Sequence, residues 1–209
     1  MKMCGRYVVT KAHEKTKNLV KSTTNVNDDQ NFNAHPGQLL PVIKSYSNGK
    51  TLEQLKWGII PSWANQKDFR PLINARLETI DEKVSFKKLI QSTRCIAVMD
   101  GFYEWKRTKE NKTPYYFTRE DNAPLFVAGI FDKDQFCLIT EEANSNIIEI
   151  HHRQPVILDS IEIDKYLDLK KSGKEQLLNI KRPNLKFHEI SKEVNKPTNN
   201  DPALINPIL

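Results

Sequence analysis

The chain has 209 residues, enough for one domain with an apolar core. Hydrophobic residues make up 38% and charged residues 28%, a balance that excludes an intrinsically disordered chain. The net charge of +6 is compatible with a polyanionic partner, because phosphates attract Lys and Arg at long range, and equally with an ordinary basic surface.

The sequence also excludes several classes of protein. The sequence holds no run of about 18 apolar residues, so we expect no membrane span and no membrane partner. The first fifteen residues lack the apolar stretch of a signal peptide. We therefore expect the chain to stay in the cytoplasm, near the nucleoid if it is bacterial. The three widely spaced cysteines predict neither a disulfide framework nor a zinc site, and no motif indicates a metal or another cofactor.

Strand patterns begin at the N-terminus. Residues 4–9 read as a strand, and Thr10 is placed to cap a helix through residues 11–21. Residues 25–38 carry Asn, Asp, Pro and Gly and predict a loop. Residues 39–57 predict a hairpin turning at 47–50, because Asn-Gly between extended runs tolerates positive φ.

The segment 57–79 follows and has no clear period. A long irregular segment inside a domain is usually functional. Beyond it, short apolar runs predict strands at 95–100, 102–107, 115–118, 124–131, 136–140 and 187–191. Helices are predicted at 85–92, 144–151, 159–167 and 173–180, and an extended tail at 196–209. We expect a single α+β domain with a curved, barrel-like, mainly antiparallel sheet and a few peripheral helices.

Cys4 is the first candidate for chemistry. The other two cysteines lie in apolar runs typical of core positions, whereas Cys4 precedes Gly5 and Arg6 near the terminus. Gly5 allows close approach to the backbone, and a nearby guanidinium is expected to favour a thiolate. Taken by itself, the position favours an incidental thiol on a frayed end.

Glu104 and His151 are candidates for proton transfer. Glu104 is flanked by Tyr103 and Trp105, which can desolvate a carboxylate and raise its pKa. A solvent-facing strand Glu is the plain alternative. A lone His is more often structural than catalytic, and the adjacent His152 does not make a zinc pair with His151.

A polar, anionic ligand is suggested by other residues. Asn74 and Arg76 offer an amide and a guanidinium within the irregular segment. Trp57, Trp63 and Trp105 are candidates for stacking on unpaired bases, and we expect at least one of them to lie in the core. Arg153 is placed to contact an anion.

A set of motifs occurs in order along the chain: C-G-R-Y at 4–7, F-N-A-H-P-G-Q at 32–38, W-G-I-I-P-S-W-A at 57–64, I-N-A-R-L-E-T at 73–79, R-C-I-A-V-M-D-G-F-Y-E-W-K at 94–106, A-N at 143–144, I-H-H-R-Q-P-V-I-L at 150–158 and I-S-K-E-V-N at 190–195. This ordered set resembles one family, the SRAP (SOS response-associated peptidase) proteins that process abasic sites. No single motif is decisive, but the set runs nearly end to end.

The resemblance implies an active site and a partner. The family's active-site residues fall on Cys4, Asn74, Glu104 and His151, where the pattern His-x-Arg-x-Pro selects His151 over His152. Its DNA contacts fall on Arg6, Trp63, Arg76 and Arg153. The partner implied is single-stranded DNA containing abasic sites, bound in a basic groove by a monomer.

The chemistry implied needs a free N-terminal cysteine. Its amine condenses with the aldehyde of an abasic sugar, and its thiol then closes a stable thiazolidine ring. Family members usually begin Met-Cys, whereas Met1, Lys2 and Met3 precede Cys4 here, so we expect residues 1–3 to be removed. Two further departures, His35 and Gln154, remove none of the implied groups.

Two other functions fit the same residues. One is a cysteine peptidase or amidohydrolase using Cys4 and His151, with Glu104 orienting the histidine, whose main substrate is its own leader. The other is a non-catalytic module that binds single-stranded nucleic acid.

Overall fold

The computed structural model describes residues 4–27, 29–65, 68–144 and 147–208. The strands in these residues are β1 (Tyr7–Val9), β2 (Ser22–Thr23), β3 (Asn31–Ala34), β4 (Leu39–Tyr46), β5 (Gly49–Trp57), β6 (Asn74–Arg76), β7 (Arg94–Met99), β8 (Gly101–Arg107), β9 (Lys112–Arg119), β10 (Leu125–Asp132), β11 (Gln135–Glu142), β12 (Arg153–Pro155), β13 (Ile157–Leu158) and β14 (Leu185–Glu189). The helices are α1 (Ala12–Thr16), α2 (Leu89–Ser92), α3 (Ile163–Leu167) and α4 (Gly173–Leu178). The described residues also contain four 3₁₀ turns, at Leu77–Thr79, Ser160–Glu162, Lys192–Asn195 and Pro202–Ile205.

The strands form two sheets. One has the order β14-β9-β8-β1-β3, and every pair in it is antiparallel. The other follows β12-β11-β10-β7-β4-β5-β2, with β6 and β13 added beside β11 and β10. This larger sheet curves until β5 also pairs with β11, in parallel, at Phe136↔Trp57. The expected α+β class with a curved, mainly antiparallel sheet is confirmed.

Alternation along the five-stranded sheet builds two apolar layers. Successive side chains on a strand point to opposite faces, so neighbours on one strand join different clusters. Tyr7 and Phe102 join the main core, which takes side chains from both sheets. Val8 and Tyr103 join a smaller cluster with Val194 of the C-terminal segment. The sheet that carries the N-terminal residues is therefore covered on both faces.

The expected helix after the first strand is much shorter than predicted. α1 ends at Thr16, and Thr10 does not cap it. The N–H and hydroxyl of Thr10 instead donate to Asp100, at 2.6 and 3.0 Å. Asp100 also pairs with Lys15, so this carboxylate ties the helix to the turn between β7 and β8.

Other expectations were wrong in their local structure. The predicted loop at 25–38 contains β3, and the irregular segment at 57–79 contains β6. The predicted helix at 144–151 is a hydrogen-bonded turn at 147–150, with residues 145 and 146 outside the described residues. The tail is not simply extended, because Asp201 caps the turn Pro202–Ile205 and Leu204 is buried. Over the described residues no helix is both long and apolar enough to cross a bilayer.

Replacing Gly101 with Ala is expected to destabilise the fold by about 1–3 kcal/mol. A Cβ at this position would overlap the backbone oxygen of Phe117 and lie 2.6 Å from the ring of Tyr116. Gly5→Ala is the matched control, since its Cβ would meet only Ile73, at 3.9 Å. Urea unfolding curves measure both free energies, and equal stabilities of the two variants would contradict the steric argument.

Candidate functional site around Cys4 and Glu104

Cys4 and Glu104 are in direct contact. β1 pairs with β8 at Tyr7↔Phe102, and the N–H of Tyr103 donates to the carbonyl of Arg6 at 3.0 Å. This register continues toward the N-terminus, where the backbone N–H of Cys4 donates to Oε1 of Glu104 at 2.5 Å. Both residues are buried, at 1% and 3% exposure. The structure therefore places a carboxylate against the nitrogen of Cys4.

The backbone of Cys4 is strained. Its φ of 38° lies in the left-handed region, which residues other than Gly, Asn and Asp rarely adopt. Such strain concentrates at functional sites, where surrounding contacts enforce it. The hydrogen bond to Glu104 is one such contact.

Burial sets the proton affinities in this site. It raises the pKa of the Glu104 carboxyl to about 7, against the opposing hydrogen bonds from the N–H groups of Cys4 and Trp105 and the charges of Arg107 and Lys112. Burial, and then the charge of Glu104, raises the pKa of the Cys4 thiol well above its ordinary value. Glu104 thus exchanges a proton near neutral pH beside a thiol that keeps its own.

The expectation that Arg6 favours a thiolate at Cys4 was wrong. Arg6 Nη1 instead donates to Oδ1 of Asn33 at 2.7 Å and to the carbonyl of Val194 at 3.0 Å. The guanidinium is held at the C-terminal segment, and the apolar surroundings of Cys4 dominate the pKa of its thiol.

Asn74 and His151 belong to segments on opposite sides of β11. β6 runs parallel to it with Leu138↔Asn74, and β12 runs antiparallel with Glu142↔Arg153. Ile73, the neighbour of Asn74, lies 3.9 Å from where a Cβ of Gly5 would be. The charge of Arg107, at the end of β8, lowers the pKa of both Glu104 and His151.

His151 has a defined orientation. It is 5% exposed, and its Nδ1 lies 3.2 Å from the backbone nitrogen and 3.3 Å from the carbonyl oxygen of Arg153. With the ring proton on Nδ1, this nitrogen donates to the carbonyl of Arg153, and Nε2 carries the lone pair. Within the described residues this Nε2 is buried without a hydrogen-bond partner. Burial, opposed by the backbone hydrogen bond at Arg153, lowers the pKa of His151, so the ring is neutral at pH 7.

The candidate DNA-contacting residues differ in their exposure to solvent. Trp63 is 60% exposed and meets Phe69 edge to face at 5.5 Å, and Arg76 is exposed at the end of β6. Arg153 is buried, and its guanidinium donates to both carboxylate oxygens of Glu78, at 2.8 and 2.9 Å. Arg153 thus bridges elements of the protein in this structure.

One of the three tryptophans lies in the core, as expected. Trp57 is fully buried and donates its indole N–H to the carbonyl of Ile73 at 3.0 Å. This bond supports the start of β6, and so the placement of Asn74. Trp105 is half-buried and donates to Oδ1 of Asn195 at 3.0 Å.

Sequence reasoning missed Arg107 and Lys112. The two face each other across the end of the β8–β9 hairpin, and the charges of both act on Glu104. The sequence offered a faint signal in the basic residues on either side of 108–111, but only the strand register brings the two together. Within the described ranges, no group of three or more His, Cys, Asp or Glu side chains is arranged to hold a metal ion.

Comparison with known proteins identifies similar chains. The family model for SOS response associated peptidase (SRAP) matches residues 3–197. The chain is 32% identical to the abasic site processing protein YoqW of Bacillus subtilis (strain 168), over 97% of this chain and 99% of the relative. It is 27% identical to the abasic site processing protein YedK of Escherichia coli (strain K12), over 99% and 100%. A crystal structure of a Bacteroides thetaiotaomicron protein matches with a TM-score of 0.85 at 28% identity, covering 99% of this chain and 100% of that one.

The raised pKa of Glu104 predicts a pH dependence of stability. From pH 4.5 to about 7 the folded chain keeps a proton that the unfolded chain releases, so this contribution is present at low pH and is lost as pH rises. The stability of the wild type relative to Glu104→Gln should therefore fall by roughly 3 kcal/mol between pH 4.5 and 8. Denaturant unfolding of both proteins across this range measures it, and a constant difference would show that the pKa is not raised.

Proposed function

The chain belongs to the SOS response associated peptidase (SRAP) family, and on that premise we propose that it processes abasic sites in DNA by forming a covalent bond through Cys4. The relatives named as abasic site processing proteins support the substrate class. The observation that carries the mechanism is the contact between the nitrogen of Cys4 and the Glu104 carboxylate. The adduct shields the lesion during the response to DNA damage.

The proposed reaction joins an aminothiol to an aldehyde. The α-amine of Cys4 adds to the C1′ aldehyde of the open abasic sugar, and the carbinolamine loses water to give an imine. The thiol then adds across the C=N bond, so that carbon gains sulfur and nitrogen gains the proton. The sum is one thiazolidine and one water. Because both nucleophiles belong to one residue, ring closure is intramolecular and fast.

Glu104 is suited to move protons in these steps. A carboxyl with a pKa of about 7 takes a proton from the attacking amine and returns it to the departing hydroxyl. It lies 2.5 Å from the backbone nitrogen of Cys4, which becomes the reacting amine once residues 1–3 are removed. The neutral thiol of Cys4 requires such a base when it adds to the imine.

His151 and Asn74 are assigned to the sugar. The neutral ring of His151 donates from Nδ1 to the carbonyl of Arg153, so its buried Nε2 is suited to accept the proton of the C1′ hydroxyl of the closed sugar. The imidazolium that results returns a proton to the ring oxygen, and the bond between C1′ and that oxygen breaks to give the aldehyde. Asn74, at the start of β6, is placed to orient the sugar hydroxyl or the amine.

The DNA contacts proposed are those that solvent can reach. Trp63 offers an exposed ring for stacking on an unpaired base, and Arg76 an exposed guanidinium for phosphate. Arg6 contributes the donors that Asn33 and Val194 do not use. Arg153 acts through Glu78 and Thr140, by fixing the strand that follows His151. We propose that a monomer binds single-stranded DNA through these groups.

Self-cleavage is the second candidate activity. In a chain that retains Met3, the nitrogen of Cys4 belongs to the Met3–Cys4 peptide bond. Attack of the Cys4 thiol on the Met3 carbonyl would make this nitrogen the leaving group, and protonated Glu104 at 2.5 Å would supply its proton. The Met3 acyl group would then be held as a thioester on Sγ of Cys4, and water would hydrolyse it, which frees the thiol and leaves Met3 with a carboxylate. This peptidase activity would expose the amine that the crosslink requires.

Cys4→Ala should abolish a denaturation-resistant adduct with abasic single-stranded DNA, while Cys137→Ala keeps it. Glu104→Gln and His151→Ala should each slow the adduct by ~10²-fold or more with little change in binding. Denaturing gels with abasic single-stranded, abasic duplex and undamaged oligonucleotides measure this, and we expect the single strand to react fastest.

Other outcomes of this assay would contradict the proposal. Equal, reversible binding to abasic and undamaged DNA without an adduct would identify a non-catalytic module. An unchanged adduct from Cys4→Ala would exclude the thiol.

The functional chain is expected to begin at Cys4, because an amide nitrogen is not nucleophilic. Intact-mass analysis of the purified protein should show loss of residues 1–3, by translation from Met3 with methionine removal or by self-cleavage. Cys4→Ala separates the routes, since host processing survives this change and self-cleavage stops. A chain that keeps Met1 and still forms a stable adduct would contradict the thiazolidine.

A further inference from the structure

Two cations at the end of the β8–β9 hairpin carry their charge without a direct carboxylate partner among the described residues. Arg107 and Lys112 are directly opposite in the antiparallel register, three residues beyond Glu104 along the strand. Like charges placed opposite each other across two strands are destabilising. Within the described part of the chain, neither residue forms an ion pair.

The surroundings concentrate this positive charge. Lys112 Nζ lies 4.6 Å from the ring centroid of Trp105, which covers one side of the ammonium and leaves its remaining donors to solvent. Partial burial, then the charges of Arg107 and Arg6, lowers the pKa of Lys112, so all three cations act within one region. Glu104 opposes them only in its ionised form.

We propose that Arg107 and Lys112 form a phosphodiester-binding site that holds the backbone of a DNA strand next to the abasic sugar. An oxygen-rich anion between the two removes the repulsion that the hairpin otherwise carries. The guanidinium of Arg107 suits two oxygens of one phosphate, and the ammonium of Lys112 supplies a point charge. This site rests on the proposed function and adds a contact that fixes the strand beside Cys4.

Arg107 has a second relation that supports this location. Its charge acts on Glu104, which lies on β8, and also on His151, which precedes β12 of the other sheet. A phosphate bound at Arg107 is therefore within electrostatic range of both proton-transfer groups.

The test uses reversible binding, separate from the chemistry. A single-stranded oligonucleotide with a central tetrahydrofuran, which lacks the aldehyde, is titrated by fluorescence anisotropy from low to high salt. Arg107→Gln and Lys112→Gln should each weaken binding about 5-fold and lower the slope of log Kd against log salt by about 0.7, the value for one phosphate contact on a single strand. Lys112→Arg keeps the charge and should bind within about 2-fold of wild type.

Lys133→Asn is the matched control. Lys133 lies exposed in the turn between β10 and β11 with a φ of 55°, which Asn tolerates, so the variant removes the same charge from another hairpin end. We expect its Kd and salt slope to stay at wild-type values. An equal loss from Lys133→Asn, or unchanged binding by the two Gln variants, would overturn the site.

Replacing charged DNA linkages with neutral ones shows which phosphates Arg107 and Lys112 contact. Methylphosphonates at the linkages flanking the tetrahydrofuran should weaken DNA binding by the wild type. They should not weaken DNA binding by the Arg107→Gln/Lys112→Gln double variant any further. If the neutral linkages and the two substitutions reduced the affinity additively, the assignment would be overturned. Failure of the proposed function is seen separately: the wild type would then form no adduct with a true abasic site, while its binding still reports on Arg107 and Lys112.

Discussion

The pairing of β1 with β8 is the constraint on which the rest of the site depends. It brings together two residues 100 positions apart, and without it Cys4 would lie on a free terminus. The sheet is covered on both faces, by the main core and by the C-terminal segment, so the pair is enclosed when the register forms. The pairing does not tolerate a side chain at the start of β8, because there is no space for a Cβ at Gly101.

The same enclosure decides which groups carry charge. The Cys4 thiol stays protonated, the His151 ring is neutral and Glu104 stands near half-ionisation at neutral pH. Within the described part of the chain, burial and the charge of Glu104 raise the pKa of the Cys4 thiol. Such a site differs from that of a thiolate protease, since it favours proton exchange around a neutral nucleophile. Condensation of an amine with an aldehyde needs this type of exchange at each step.

Periodicity predicted the longer strands and the hairpin at 39–57, where alternation and Asn-Gly agree. It failed for short elements set by distant partners. β3 and β6 each have only three or four residues and exist because β1 and β11 supply hydrogen bonds. Arg153 looked like an anion contact, yet Glu78 accepts both arms of its guanidinium. The motif resemblance named Cys4 and Glu104, but their contact and the Arg107–Lys112 pair follow only from register.

The hydrogen bonds around Asn33 connect the N-terminal and C-terminal segments, and they also bear on the order in which the chain folds. Asn33 accepts from Arg6, and its amide nitrogen donates to the carbonyls of Lys196 and Asn199, while Val194 accepts from Arg6 directly. During synthesis the N-terminal segment emerges first, and its last partners emerge nearly two hundred residues later. Contacts this distant in sequence form late in folding. The polar contacts of Arg6 and Asn33, which hold the segment that follows Cys4, are therefore completed only when the C-terminal segment docks.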